Sequence, residues 1–232
     1  MKKLFALLLA VMLVLTAAAY ASEGAPASAN VYVSITDGEG ALVLAYEPVE
    51  VTDVDGDGAL TINDALASAH AAKYEGGAEG YASVETEYGL SMSLLWGVEN
   101  GSGYGYYLNN GSAWSLLDPV AEGDHVKAYV YTDLVTWSDT YCFFEANEVQ
   151  VKAGEQLNLL LSAAGCDEAY APITLPVEGA VITVNGEPTE VVTDAEGKAV
   201  ISLTEVGTYV VSAVSEAQVL VAPVCVVTVT AE

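Results

Sequence analysis

Residues 53–64 read Asp-Val-Asp-Gly-Asp-Gly-Ala-Leu-Thr-Ile-Asn-Asp. Carboxylates at the first, third and fifth places, a glycine at the sixth and a carboxylate at the twelfth confine the chain to a tight, oxygen-lined turn. Such a spacing wraps a calcium ion. On that reading Asp53, Asp55 and Asp57 supply carboxylates and Ala59 a backbone carbonyl. Thr61 acts directly or through water, and Asp64 closes the set. The competing reading is a solvated acidic turn. The correct twelfth position, Ile62 between loop and helix, and the helical segment that follows favour Ca2+. The expected role is structural: the ion pins a helix start that otherwise carries four mutually repelling carboxylates.

The residues around the loop set its context. Val31–Thr36 alternates like a strand, Asp37-Gly-Glu-Gly40 is a turn, and Ala41–Tyr46 and Val49–Thr52 read as strand again, giving a hairpin. Ile62–Tyr74 is Ala-rich, with Ile62, Ala65, Leu66, Ala69 and Ala72 at helical spacing. Thr61 is its expected N-cap, Asp64 falls in its first turn, and Gly76-Gly77 stops it. Residues 78–145 read as aromatic-rich strands. His125–Thr132 alternates, with Val126, Ala128 and Val130 on one face and Lys127, Tyr129 and Tyr131 on the other. Beyond residue 147 aromatics nearly vanish, and short strands separated by turns such as Asn185-Gly186 and Asp194-Ala-Glu-Gly197 indicate an all-β sandwich. The expected fold is mainly β with one main helix: residues 31–146 as a first domain and 147–232 as a second.

Residues 1–21 read as a secretory signal: Lys2 and Lys3, an apolar run from Leu4 to Ala19, and a small-x-small end at Ala19-Tyr20-Ala21. The run falls short of the roughly 20 residues that span a bilayer. Cleavage leaves residues 22–30 as a flexible start. Neither a lipid-acceptor cysteine after the cleavage site nor a C-terminal anchoring signal is visible, so a released, extracellular protein is expected, with the cell surface as an alternative. The chain has 32 Asp and Glu against 6 Lys and Arg, all of them Lys. Such a surface repels nucleic acid and anionic membrane. A hydrophobic content of 53% excludes acidic disorder. Three cysteines, Cys142, Cys166 and Cys225, admit a Cys166–Cys225 bridge or three buried thiols, and their apolar surroundings favour thiols.

Three resemblances follow from these residues. Asp53–Leu66 resembles one half of a dockerin, whose loops also close with Asp rather than Glu; a dockerin has two such loops and this chain has one. Residues 31–145 resemble transcobalamin C-terminal-like domains of secreted bacterial proteins. The carriers are the N-terminal hairpin, the helix, Gly103-Tyr-Gly-Tyr-Tyr-Leu-Asn-Asn-Gly111 and Glu122-Gly-Asp-His-Val126. That resemblance implies a β-grasp-like fold and, weakly, corrinoid binding. Residues 147–232 resemble bacterial Ig-like domains of adhesins through Val177–Gly186, Val192–Ser202 and Gly207–Ala213. Some relatives carry a Lys–Asn isopeptide bond. Lys152 lies near the first strand, but Val219–Val229 offers no Asn or Asp, so no such bond is expected.

The aromatic cluster is the second candidate site. Every Trp lies between residues 96 and 144: Trp96, Trp114 and Trp137. Alternation puts Tyr104 and Tyr106 on one strand face and Tyr107 on the other. Exposed rings can stack on a sugar or a planar cofactor, whereas core packing is the commoner fate of large aromatics. Tyr104, Tyr106, Trp114 and Trp137 are the candidate ligand residues, the two Trp in loop-like settings. No Gly-x-Ser-x-Gly, His-Glu-x-x-His or phosphate loop occurs, and His70 and His125 lack a recognisable partner. The expected function is a secreted, calcium-stabilised, non-catalytic binding or adhesion protein of a bacterial cell exterior. Its partner is expected to be an extracellular glycan, protein or small molecule. The alternative is an extracellular binder of a corrinoid-like small molecule.

Overall fold

The computed structural model describes residues 28–231. The segment 1–21, expected to be a secretory leader, and residues 22–27 of the expected flexible start lie outside the described residues. Ser28, Ala29 and Asn30, expected within that start, instead open the first strand. The described residues are mainly β with one main helix, as the sequence leads one to expect.

Ser28–Thr36 (β1) and Leu42–Thr52 (β2) pair antiparallel across the expected turn. Asp37 Oδ1 accepts from the N–H groups of Glu39 and Ala41, and Gly40 takes a positive φ of 79°. The helix Ile62–Lys73 (α1) follows the acidic loop. A small separate hairpin, Ala82–Thr86 (β3) with Gly89–Leu94 (β4), comes next. Tyr104–Leu108 (β5), Gly111–Ser112 (β6) and His125–Val130 (β7) complete a sheet of order β2-β1-β7-β5-β6. The β1–β7 pair is parallel and the others antiparallel. A helix of 12 residues is marginal in isolation. Ile62 and Leu66 are fully buried in one core with Val31, Val33 and Val126, and each contributes roughly 1.5–3 kcal/mol. Docking on the sheet, rather than intrinsic propensity, therefore holds α1.

The remaining strands are Thr140–Phe144 (β8), Glu148–Lys152 (β9), Gln156–Cys166 (β10), Pro172–Pro176 (β11) and Val181–Val184 (β12). Glu187–Val192 (β13), Lys198–Ser202 (β14), Gly207–Val214 (β15), Leu220–Val221 (β16) and Cys225–Thr230 (β17) follow. They form two sheets, β11-β10-β8-β16 with β14 also on β10, and β13-β12-β15-β17-β9, sharing one core that includes Phe144, Leu161, Ile182 and Val227. Two features differ from expectation. β8, expected at the end of the first unit, pairs with β10 and β16, so sheet membership changes between Val130 and Thr140. The single strand expected over Val219–Val229 is two strands in different sheets, divided at Pro223, which cannot donate to a ladder.

All six residues of β7 are buried, so both of its faces are covered. One faces α1. The other meets β8 in a small cluster of Tyr129, Tyr141 and Val221, flanked by Tyr107, Tyr131 and Phe143. Lys127 lies on that covered face. Its ammonium donates to the Cys142 carbonyl at 2.9 Å and sits 4.8 Å from the centre of the Tyr141 ring. No carboxylate pairs with it among the described residues. All three cysteines are free thiols. Cys142 and Cys225 are buried, but Cys166, expected to be buried, is exposed at the end of β10.

Candidate functional site

The loop at 53–64 is organised by its own carboxylates. Asp53 Oδ1 accepts from the N–H groups of Gly56 and Asp57 at 2.7 and 3.2 Å, and Oδ2 from Gly58 at 2.9 Å. Asp55 accepts from the N–H of Asp57, and Asp57 from that of Ala59. Gly56 and Gly58 take φ values of 77° and 88°, a region open to glycine with little strain. These bonds draw the chain around Asp53, whose carboxyl they hold below the usual range, the Gly58 N–H most of all. Ligand atoms of Asp53, Asp55 and Asp57 lie within 4.8 Å of one another on the exposed side of the turn, a spacing that can hold a metal ion.

Asp64 and Thr61 stand apart from this triad. Both are buried, and together they cap α1. Thr61 Oγ1 accepts from the Asp64 N–H, while Asp64 Oδ2 accepts from the Thr61 N–H at 2.9 Å and its hydroxyl at 2.7 Å. Asp64 Oδ1 accepts from the Val54 N–H at 2.9 Å. The closing carboxylate thus stitches the start of the loop to the start of the helix. The expected N-cap and first-turn acid are present as a reciprocal capping box.

A second segment of chain secures the loop from outside. Ile62 N–H donates to the Asp118 carbonyl, Asn63 N–H to that of Leu116, and Val120 N–H to that of Leu60. Two donors of the helix first turn are thereby satisfied. Asn63 carries the connection inward: its amide donates to Asp55 Oδ2 and its Oδ1 accepts from the Tyr81 hydroxyl. Residues 116–120 thus brace both the end of the loop and the start of α1. Asp118 also accepts from the Trp114 N–H, at 2.8 Å, so one residue touches both the loop and the outermost Trp.

The four aromatic candidates separate. Tyr104 and Tyr106 pack against the helix-side core and Tyr107 belongs to the opposite cluster, as alternation predicts. The Tyr104 hydroxyl accepts from Asn100 N–H and lies 2.9 Å from the Ser93 and Val98 carbonyls, so it is held inside the fold. Trp137 is half-exposed and edge-on to Tyr131, in a loop that Asp133 and Asp139 organise through bonds to Val135, Thr136, Ser138 and Thr132. Trp114 is 95% exposed.

Trp114 borders a cleft of 620 Å³ between the β5–β6 hairpin and the β10–β11 hairpin. Tyr107, Phe143 and Tyr170 are its other aromatic residues, and sequence reasoning nominated none of them. Tyr107 stacks on Tyr141 with centroids 3.4 Å apart and planes 8° from parallel. The one visible signal for Tyr170 is a lone aromatic residue in the Asp167–Ala171 turn of the aromatic-poor half. The cleft itself brings together residues from distant stretches of chain, which spacing cannot reveal.

No family model matches the chain, and no curated protein matches it in sequence.

Both histidines are locked in the neutral form. His70 Nδ1 lies 2.6 Å from the Leu66 carbonyl and Nε2 accepts from the Trp96 N–H at 3.0 Å, an arrangement that defines the tautomer. Burial pushes its pKa down. His125 is pushed down to about 3, by burial first and by the Lys127 charge second, and its Nε2 is 2.9 Å from Ser34 Oγ.

Proposed function

We propose that this chain is an exported, calcium-stabilised, non-catalytic binding or adhesion protein of a bacterial cell exterior. The observation that carries the reading is the preorganised triad Asp53, Asp55 and Asp57, held open to solvent by backbone bonds to Asp53. An all-oxygen donor set suits a hard cation and lacks the nitrogen and sulfur ligands typical of a structural zinc site. Ala59 supplies the carbonyl. Asp64 acts from behind by fixing the helix start. With three carboxylates rather than four or five, the expected affinity falls in the extracellular class, with Kd on the order of 10⁻⁴–10⁻³ M. The sheet order β2-β1-β7-β5-β6 with α1 across one face supports a β-grasp-like, transcobalamin-like first unit. The two-sheet core supports an Ig-like second one.

Calorimetric titration of the calcium-stripped full chain with calcium tests the reading. Heat with one site, lost in Asp53→Ala, supports it; no heat in the wild-type chain refutes it. A second reading, capture of a corrinoid-like small molecule, draws on the aromatic cleft. Unchanged Trp fluorescence on titration with cobalamin would end it.

A further inference from the structure

We infer that the cleft between the β5–β6 and β10–β11 hairpins is a stacking site for a neutral saccharide, an inference that rests on the binding-protein reading and names its ligand class. The chain carries 32 acidic residues, yet no charged residue lines this cleft. The clefts of 410, 580 and 500 Å³ elsewhere carry carboxylates, and one of 480 Å³ has no aromatic ring. A cationic ligand finds no ion-pair partner in the cleft, and an anionic one is repelled by the protein's overall field. A neutral ligand is left.

Two rings at the rim bury little of their own surface. Trp114 is 95% and Tyr170 is 87% exposed. Tyr170 sits at φ +62°, a left-handed position that Asn or Gly occupies with less strain. The turn holds it there: Tyr170 N–H donates to the Asp167 carbonyl, while Asp167 Oδ1 accepts from Ala169 and Ala171. Among the described residues Tyr170 stacks on no other ring, and an exposed aromatic held at a left-handed position points to a ligand rather than to the fold. Behind the rim, Tyr107 is backed by Tyr141 and so presents a rigid wall.

The polar groups complete the match. Asn110 Oδ1 accepts from the Tyr141 hydroxyl at 2.8 Å, which fixes the amide and leaves Nδ2 without a partner among the described residues. Ser112 and Thr174 line the cleft, and both are exposed, so their hydroxyls are open to a ligand. Apolar ring faces interleaved with a few neutral donors and acceptors are what a pyranose presents in complement: a flat C–H face and a rim of hydroxyls.

The test uses the full chain in calcium and an array of neutral gluco-, manno-, galacto- and xylo-oligosaccharides beside uronate and sialylated ones. Binding is expected among the neutral set alone. Trp114→Ala and Tyr170→Asn each weaken it at least tenfold without lowering the melting temperature. The bound oligosaccharide also slows alkylation of Cys166, the one exposed thiol, by N-ethylmaleimide. Preference for the acidic glycans, or no neutral binding, overturns the ligand class, while calcium heat decides the binding-protein reading separately. Neutral binding that survives both substitutions, or unprotected Cys166, overturns the cleft and leaves that reading standing.

Discussion

Lys127→Met isolates the cost of the charge buried between the two halves of the molecule. Lys127 is 1% exposed, and burial pushes its pKa down to about 8 from 10.5. A tenfold change in proton affinity is worth about 1.4 kcal/mol, so holding the ammonium protonated in the folded state near pH 7 costs about 3 kcal/mol. That cost is what remains after the favourable contacts to the Cys142 carbonyl and the Tyr141 ring. Methionine has similar volume, and exchanging a buried charge for a packed apolar group is often stabilising by about 1–4 kcal/mol. We expect about 2 kcal/mol at pH 7, or a melting temperature about 4–8 °C higher.

The pH dependence fixes the cause. Because the folded pKa is depressed, the unfolded chain holds the proton between about pH 8 and 10.5 while the folded chain has lost it. Wild-type stability therefore gains from this group as pH rises through that window. The gap to the Met variant should shrink between pH 7 and 9.5. Above pH 10 a second effect intrudes: burial raises the phenols of Tyr81, Tyr129 and Tyr141, so the unfolded chain ionises first and stability falls in both proteins. Urea unfolding at pH 7, 8.5 and 9.5 measures the gap. A Met variant less stable than wild type at pH 7, or a gap constant with pH, refutes this cause.

Two further substitutions follow from the fold. Asp64→Ala removes the capping box and strands the N–H groups of Val54 and Thr61, so a loss of about 2–4 kcal/mol is expected in chelator as well as in calcium. Chemical unfolding in EDTA reads it, and an unchanged midpoint would mean that Asp64 acts only through the ion. Gly197→Ala puts a Cβ against the Leu161 carbonyl oxygen at φ +77°, so a loss above about 2 kcal/mol is expected, seen as a lowered thermal midpoint by circular dichroism. A neutral result would show that the Asp194–Gly197 turn can shift.

What is legible in the sequence is local. The loop, its glycines, the Thr61–Asp64 helix start and the Asp37–Gly40 turn depend on neighbours within a dozen residues, and each is where the pattern puts it. Alternation likewise divides Tyr104 and Tyr106 from Tyr107. Pairing at a distance is illegible. β8 joins the later sheets because β10 and β16 flank it, a fact absent from its own five residues. Lys127 reads as an outward residue in an alternating strand, and only the second layer makes it buried. Pro223, by contrast, is a visible break inside an apparent long strand. Asp64 carries two signals at once, ligand position and first-turn acid, and the second is realised in the Thr61–Asp64 capping box.

Calcium held by the triad in the 53–64 loop is the central claim, and thermal unfolding of the calcium-stripped full chain tests it most directly. With Kd near 10⁻⁴ M, 10 mM calcium stabilises the folded state by about 2.7 kcal/mol, or about 5–10 °C. The expected result is that rise in the wild-type protein, a smaller one with magnesium, and none in Asp53→Ala. A wild-type midpoint indifferent to calcium, or a full rise retained in Asp53→Ala, would contradict it.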